Sequence, residues 1–263
     1  MENQHLIVVE NLSFSYEGGT EALRGVSFRL HEGERLGLIG PNGAGKSTLF
    51  LCMAGVLQGF TGTIRVGGLC PCDRKQLPKL RQLLGIVFQS SDDQLFNPTV
   101  MEDVAFGPRN LGLQKNAAEE RAKSALARVN MPRETHDRPP YHLSAGQKRR
   151  TALAGVLAME PQVLLLDEPA SDLDPQGKKE LIELLYRIDG AQIIAAHDLE
   201  LIRKTCQRVL VIDKGHIVGD GPADDVLADT ELMESHGLEV PFSLQCCQTC
   251  ADMYRGRLHT RRE

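Results

Sequence analysis

The octet Gly40-Pro41-Asn42-Gly43-Ala44-Gly45-Lys46-Ser47 follows the spacing G-x-x-x-x-G-K-[ST], with Thr48 next. Each residue type in it has a use against phosphate. Glycines let the backbone curl until successive N–H groups point inward at phosphate oxygens. A helix starting near Ser47 adds the positive end of its dipole. Lys46 brings a point charge that reaches the β- and γ-phosphates. The Ser47 hydroxyl is a ligand for Mg2+, and Thr48 is placed to touch the α-phosphate. The alternative is an ordinary glycine-rich turn before a helix. It leaves unexplained why Lys-Ser follows the last glycine, with an apolar strand before and a helix after.

Two acids end another apolar run, Val163-Leu164-Leu165-Leu166-Asp167-Glu168. At such a strand tip Asp167 can hold Mg2+ through its water shell. Glu168 can face the γ-phosphate and polarise the attacking water as a general base. Taken alone, a solvated acidic strand end is a common alternative; beside a phosphate loop it loses ground. His197 follows a third apolar run, Gln192 to Ala196. A lone histidine is more often a surface or satisfied core residue. Here three strand ends, near Gly40, Asp167 and His197, are expected to meet in one crevice, where open α/β sheets bind ligands. From there His197 can hydrogen-bond the γ-phosphate.

These groups need a scaffold, and the chain supplies one. Its 263 residues suit one large domain or one domain with a small appendage. Apolar residues are 41% and Trp is absent, so aliphatic parallel strands fit better than an aromatic-packed sandwich. Strands are expected over Leu6–Tyr16, Val26–Leu30, Arg35–Ile39, Thr63–Val66, Leu84–Phe88, Val163–Leu166 and Gln192–Ala196. A terminal hairpin is expected from Val209–Asp213 and His216–Val218. Helices are expected over Ser47–Ala54, Asn116–Val129, Ala145–Met159, Lys178–Ile188 and Leu199–Thr205, with Leu69–Pro78 as loop. Strands alternating with helices give an α/β fold with a mostly parallel sheet. The stretch from Asn97 to Met159 reads as a helical subdomain set on that sheet.

The segment Leu143-Ser144-Ala145-Gly146-Gln147 resembles the signature motif of ABC-transporter ATPases. With the phosphate loop, Gln89 after an apolar strand, Asp167-Glu168, Ser171-Asp172-Leu173-Asp174 and His197, it completes that family's ordered set over about Leu6 to Leu227. The resemblance implies a P-loop NTPase of ABC type, with an N-terminal antiparallel β part and a helical subdomain carrying the signature. It implies an ATPase whose cofactors are ATP and Mg2+. It also implies a head-to-tail dimer, with a second copy or a sister ATPase. There Ser144, Ala145, Gly146 and Gln147 of one subunit would bind the γ-phosphate held by the other. Tyr16 matches the aromatic that stacks on adenine, the alternative being a strand tyrosine packed for burial. Gln89 matches the residue that contacts Mg2+ and the water. Ala145 departs from the usual glycine, and a methyl there is tolerable if its φ is negative. Asp172 lies in the loop expected to cross the dimer interface.

A narrower resemblance runs through Val87-Phe88-Gln89-Ser90-Ser91-Asp92-Asp93-Gln94-Leu95-Phe96, then Pro98-Thr99-Val100 and Asp103-Val104-Ala105-Phe106-Gly107-Pro108. It is similar to ATPases of cobalt, nickel and energy-coupling-factor vitamin importers. In those, this segment lies at a groove for a helix of the membrane subunit, so integral membrane subunits are expected to dock near Gln89 to Phe96. A generic loop is the alternative. The resemblance divides the chain into an ATP-binding domain over 1–240, with its helical subdomain about 97–159, and a tail over 241–263.

Composition bounds the rest. No apolar run approaches the roughly 20 residues that span a bilayer, and Met1 to Glu10 has no secretory pattern. The expectation is a peripheral protein at the cytoplasmic face of the membrane, with its seven cysteines as reduced thiols. Cys246, Cys247 and Cys250 resemble a metal or redox pair, against the blander reading of surface or packing thiols. A net charge of −5 argues against nucleic acid as a partner. A soluble ABC ATPase acting on nucleic acid or ribosomes is the runner-up. Such proteins usually carry two such domains or long coiled-coil insertions, and this chain has neither.

Overall fold

The computed structural model describes residues 5–171 and 173–245. Three strands near the N-terminus form a small antiparallel sheet. They are β1 (His5–Ser15), β2 (Glu21–His31) and β4 (Thr61–Val66), in the order β2-β1-β4. Alternation drives this sheet: Ile7, Val9, Leu12 and Phe14 face inward along β1, and Leu23, Val26, Phe28 and Leu30 do so along β2. The expectation for β2 began only at Val26. Gly25, at φ +65°, breaks the alternation and hides its first half.

Six strands form the central sheet. They are β3 (Arg35–Ile39), β5 (Leu84–Val87), β6 (Val163–Asp167), β7 (Ala191–Ala195), β8 (Arg208–Asp213) and β9 (His216–Pro222), in the order β5-β6-β7-β3-β8-β9. The first five run parallel, and β9 returns antiparallel from β8. Every residue of β6 and β7 is buried, which is why both read as continuous apolar runs. One apolar core fills the space between the two sheets around α1 (Lys46–Met53), and a second lies on the opposite face. The second holds α3 (Val100–Asn110), α4 (Lys115–Arg128) and α5 (Ala145–Leu157), the expected helical layer. The helices α6 (Pro175–Arg187) and α7 (Leu199–Thr205) complete that face.

Local chemistry sets the helix starts. Thr99, Ser144, Asp174 and Asp198 each accept a backbone N–H from the first turn of the helix that follows. At the far end of α6 the buried Gln192 amide donates to the carbonyls of Leu185 and Ile188, at 3.0 and 3.1 Å.

Two expectations need correction and one stretch gains elements that the sequence did not announce. Residues 69–78 are not all loop, because α2 (Leu77–Leu83) begins inside that stretch with Pro78 in its first turn. The chain beyond β9 adds α8 (Ala223–Ala228) and α9 (Thr230–Ser235), which bury Val226, Leu227 and Met233. Cys70 and Cys72 are joined as a disulfide rather than held as thiols, their turn having brought the Cα atoms to 5.3 Å. Cys52 and Cys206 are free and buried, and burial pushes both thiols up to about 12. Cys246, Cys247, Cys250 and Asp172 lie outside the described residues.

Candidate functional site

The C-terminal ends of β3, β6 and β7 open on one cleft of about 680 Å³. The loop after β3 forms its floor. Gly45 takes φ +113°, and a Cβ there would lie 2.6 Å from the Ala22 carbonyl oxygen. A Cβ at Gly40 would collide with the carbonyl of Ile212. Pro41, Asn42, Gly43 and Ala44 carry the turn between them, and Gly215 N–H donates to the Ala44 carbonyl at 3.0 Å. The loop is thus braced from β8–β9 and from β2. Only glycine fits at its two ends, because neighbouring backbone occupies the place of a side chain.

The charged groups converge on this floor. Lys46 is buried, and its Nζ donates to the Gly40 carbonyl at 2.6 Å and the Pro41 carbonyl at 3.2 Å. Burial lowers its ammonium below the ordinary value, against the pull of Glu168 and then Asp167. Ser47 Oγ donates to Asp167 Oδ2 at 2.6 Å. A hydroxyl and a carboxylate side by side are the hard oxygen donors that Mg2+ selects, so the residues present fit that ion. Thr48 shares a 3.0 Å hydrogen bond with the Tyr16 hydroxyl. Tyr16 lies just past β1 and is 41% exposed on the cleft wall, which rules out the packed-strand alternative. Gln89 lines the same cleft.

Glu168 holds a left-handed backbone conformation at the tip of β6. Its φ is +47°, a region that costs a bulky residue energy unless its surroundings hold it. Its N–H donates to the Ala195 carbonyl at 2.8 Å, and its carbonyl accepts from Ser171 Oγ at 2.9 Å. Burial raises its carboxyl above the ordinary glutamate value, opposed by the His197 N–H, the His197 ring and Lys46. The His197 N–H donates to Oε2 at 3.2 Å. Oε1 is buried without a hydrogen bond and faces His197 Nε2 at 3.3 Å, close enough for charge but outside hydrogen-bond geometry. A desolvated carboxylate with a free oxygen beside a histidine can take a proton from water.

The signature residues lie elsewhere. Ser144 caps α5 in a reciprocal box: its Oγ accepts from Gln147 N–H at 3.3 Å, and its own N–H donates to Gln147 Oε1 at 3.0 Å. Ser144 and Ala145 are exposed, and none of Ser144 to Gln147 lines the cleft. Ala145 does not take a positive φ, so its methyl is accommodated without strain. A Cβ at Gly146 would meet only Leu173, at 3.7 Å. Among the described residues nothing therefore requires glycine at 146.

Sequence reasoning passed over three groups. Asp198 and Lys178 meet at 2.7 Å on the cleft rim. Burial alone would raise Asp198, but hydrogen bonds from Lys178 and the first turn of α7 hold it below the ordinary aspartate value. Arg149, on α5, is buried and joins Phe88 to Ser171. Twenty residues or more separate these partners, so no local spacing announces them.

A glycine cradle, a buried lysine and a strand-end acid pair on a parallel sheet define a P-loop nucleotide-binding protein. A family profile described as ABC transporter matches residues 23–171, and the chain belongs to that family, as an ATP-binding ATPase subunit. An ABC transporter ATP-binding protein of Gloeobacter violaceus is 50% identical over 239 residues, covering 90% of this chain and 98% of that one. The energy-coupling factor transporter ATP-binding protein EcfA of Methanosphaera stadtmanae is 43% identical over 241 residues, covering 90% and 86%. Among solved structures, cbiO1 of Clostridium perfringens, described as part of the ABC transporter complex cbiONQ, superposes with a TM-score of 0.78. It is 37% identical and covers 93% of this chain and 99% of that one.

Proposed function

We propose that this chain powers an importer of the cobalt, nickel or energy-coupling-factor vitamin type, working as one half of a head-to-tail ATPase dimer. One observation carries the reading. The phosphate loop, Asp167, Glu168, His197, Gln89 and Tyr16 share a cleft, while the start of α5 stands apart from it, capped and exposed. The cap takes up only part of the N–H groups at this helix start, and the rest, with the positive end of the helix dipole, suit an anion. The glycine at 146, which no described residue crowds, suits close approach by a neighbour's phosphate. In this account residues 1–240 form the ATP-binding domain, and 241–263 are a tail.

Each residue then has a task. Tyr16 stacks on the base. The amides of Asn42 to Ser47 and the Lys46 ammonium hold the phosphates. Ser47 and Gln89 would hold Mg2+, with Asp167 behind them. The ion supplies positive charge against the phosphates. Glu168 accepts the water's proton, and His197 reads the γ-phosphate. Across the interface Ser144, Ala145, Gly146 and Gln147 complete the site, so loss of the γ-phosphate releases the two subunits.

The membrane side of the reading rests on a second groove, of about 600 Å³, beside the Gln89 loop. Leu84, Phe88, Leu95, Phe96 and Phe106 line it, and Phe96 is 64% exposed with its ring edge-on to Phe106 at 4.9 Å. Asp103 pins the approach by accepting from the N–H groups of Phe96 and Asn97 at 3.1 and 2.9 Å. An apolar groove of this kind suits a helix of an integral membrane subunit. In this reading the chain attaches peripherally, at the cytoplasmic face; among the described residues no helix is long and apolar enough to cross a membrane. Purified from detergent-solubilised native membranes, the chain should carry integral membrane proteins with it. Phe96→Asp should release them and leave ATP binding unchanged. Recovery of nuclease-sensitive nucleic acid in their place would overturn the reading.

A further inference from the structure

Arg149 is 6% exposed and does not itself line the cleft, but two of its guanidinium bonds reach loops at the cleft's edge, one of them to Ser171 in the cleft wall. One nitrogen donates to the Phe88 carbonyl at 2.9 Å, the other to Ser171 Oγ at 2.6 Å. Both acceptors sit one step from a group the reaction needs. Phe88 immediately precedes Gln89. Its N–H donates to Gln94 Oε1 at 2.9 Å, so both polar backbone groups of Phe88 are tied and the loop is fixed where Gln89 leaves it. Ser171 Oγ in turn donates a hydrogen bond to the Glu168 carbonyl at 2.9 Å, one of the contacts that keep Glu168 at positive φ. Lys148 reinforces the grip through a 2.6 Å ion pair with Asp92. All of this hangs from α5, and Arg149 lies one turn beyond Ala145 on the same face of that helix.

We propose that Arg149 is a positioning residue that ties the start of α5 to the chain's own Glu168 and Gln89, so that engagement of that helix start by a neighbour's nucleotide is felt at the local base. The inference rests on the reading of Glu168 as that base. A planar fork sends separate nitrogens to acceptors on two different loops, a geometry that a lysine's point ammonium does not reproduce. Loosening the tie leaves the phosphate loop and Lys46 untouched, so substrate binding stays and the chemical step slows.

The test is steady-state ATPase kinetics on the full chain. Arg149→Gln should lower kcat by about 10- to 100-fold with KM for ATP unchanged, as misplacement of a reacting group does. Arg149→Lys should not restore it. Ser171→Ala should lower kcat in the same way, and the double variant should be no worse than the worse single one. Full activity in Arg149→Lys, a rise in KM alone, or losses that multiply in the double variant would overturn the proposal. Should Arg149→Gln fail to fold, Ser171→Ala decides by itself, and a wild-type kcat there refutes the link. Glu168→Gln, run alongside, separates the two ideas. If it retains hydrolysis the base assignment falls; if it loses hydrolysis while the Arg149 and Ser171 variants keep theirs, only this inference falls.

Discussion

For Glu168 to take a proton from water it must be ionised while largely withdrawn from solvent. Its surroundings oppose these demands in a measurable way. Burial raises the carboxyl above the ordinary glutamate value, while His197 and Lys46 pull it down. The acid limb of kcat should therefore lie above the range of a free glutamate. Replacing His197 by Ala should move it higher still, since the ring's charge is lost and the backbone N–H remains. A pH–rate profile under saturating ATP reads both. The same shift affects folding. The folded chain holds this proton more tightly than the unfolded one, so stability from Glu168 is complete below the ordinary value and is lost as pH rises through the folded one. Glu168→Gln should keep ATP binding and cut hydrolysis by roughly 10²- to 10⁴-fold, the span of general-base catalysis, as measured by phosphate release. At this scale the sequence was highly readable. The loop, Asp167, Glu168 and His197 each carry their meaning in residue type and position. Arg149 does not, because its worth comes from Phe88 and Ser171, which only the fold brings near.

The strands of the central sheet fix where these residues point, and the phosphate loop is the tightest joint between them. Gly40 has no room for a side chain, since the Ile212 carbonyl of β8 occupies the place a Cβ would take. Gly40→Ala should cost about 1–3 kcal/mol of stability by forced displacement of backbone, read from thermal unfolding. Nucleotide affinity should fall with it. Elements with a strong period or a capped start were legible, and β3 and α7 begin and end where the pattern places them. The misses share a cause. Helix α2 buries only Leu80, and α8 and α9 have six residues each. Such short helices are held by the surfaces they cover, and their own periodicity is too brief to read. The Cys70–Cys72 bond was missed for another reason: whether two nearby thiols pair depends on the turn between them.

Across the whole molecule the functional groups fall into two sets that one chain does not bring together. One surrounds the cleft at the strand ends; the other sits at the start of α5. The order of motifs along the chain made both sets visible, but their separation is a property of the fold. A head-to-tail pair with twofold symmetry joins each set to its complement and makes two equal sites. That arrangement is the central claim, and mixing two inactive variants tests it most directly. Glu168→Gln lacks the base, and Ser144→Phe blocks the helix start. In a mixed dimer both defects fall in one site, and the other site is intact. Mixing equal amounts should restore about a quarter of the wild-type ATPase rate, since half the dimers are mixed and each holds one good site of two. If every site were built within a single chain, the mixture would stay as inactive as its components, and that result would contradict the account.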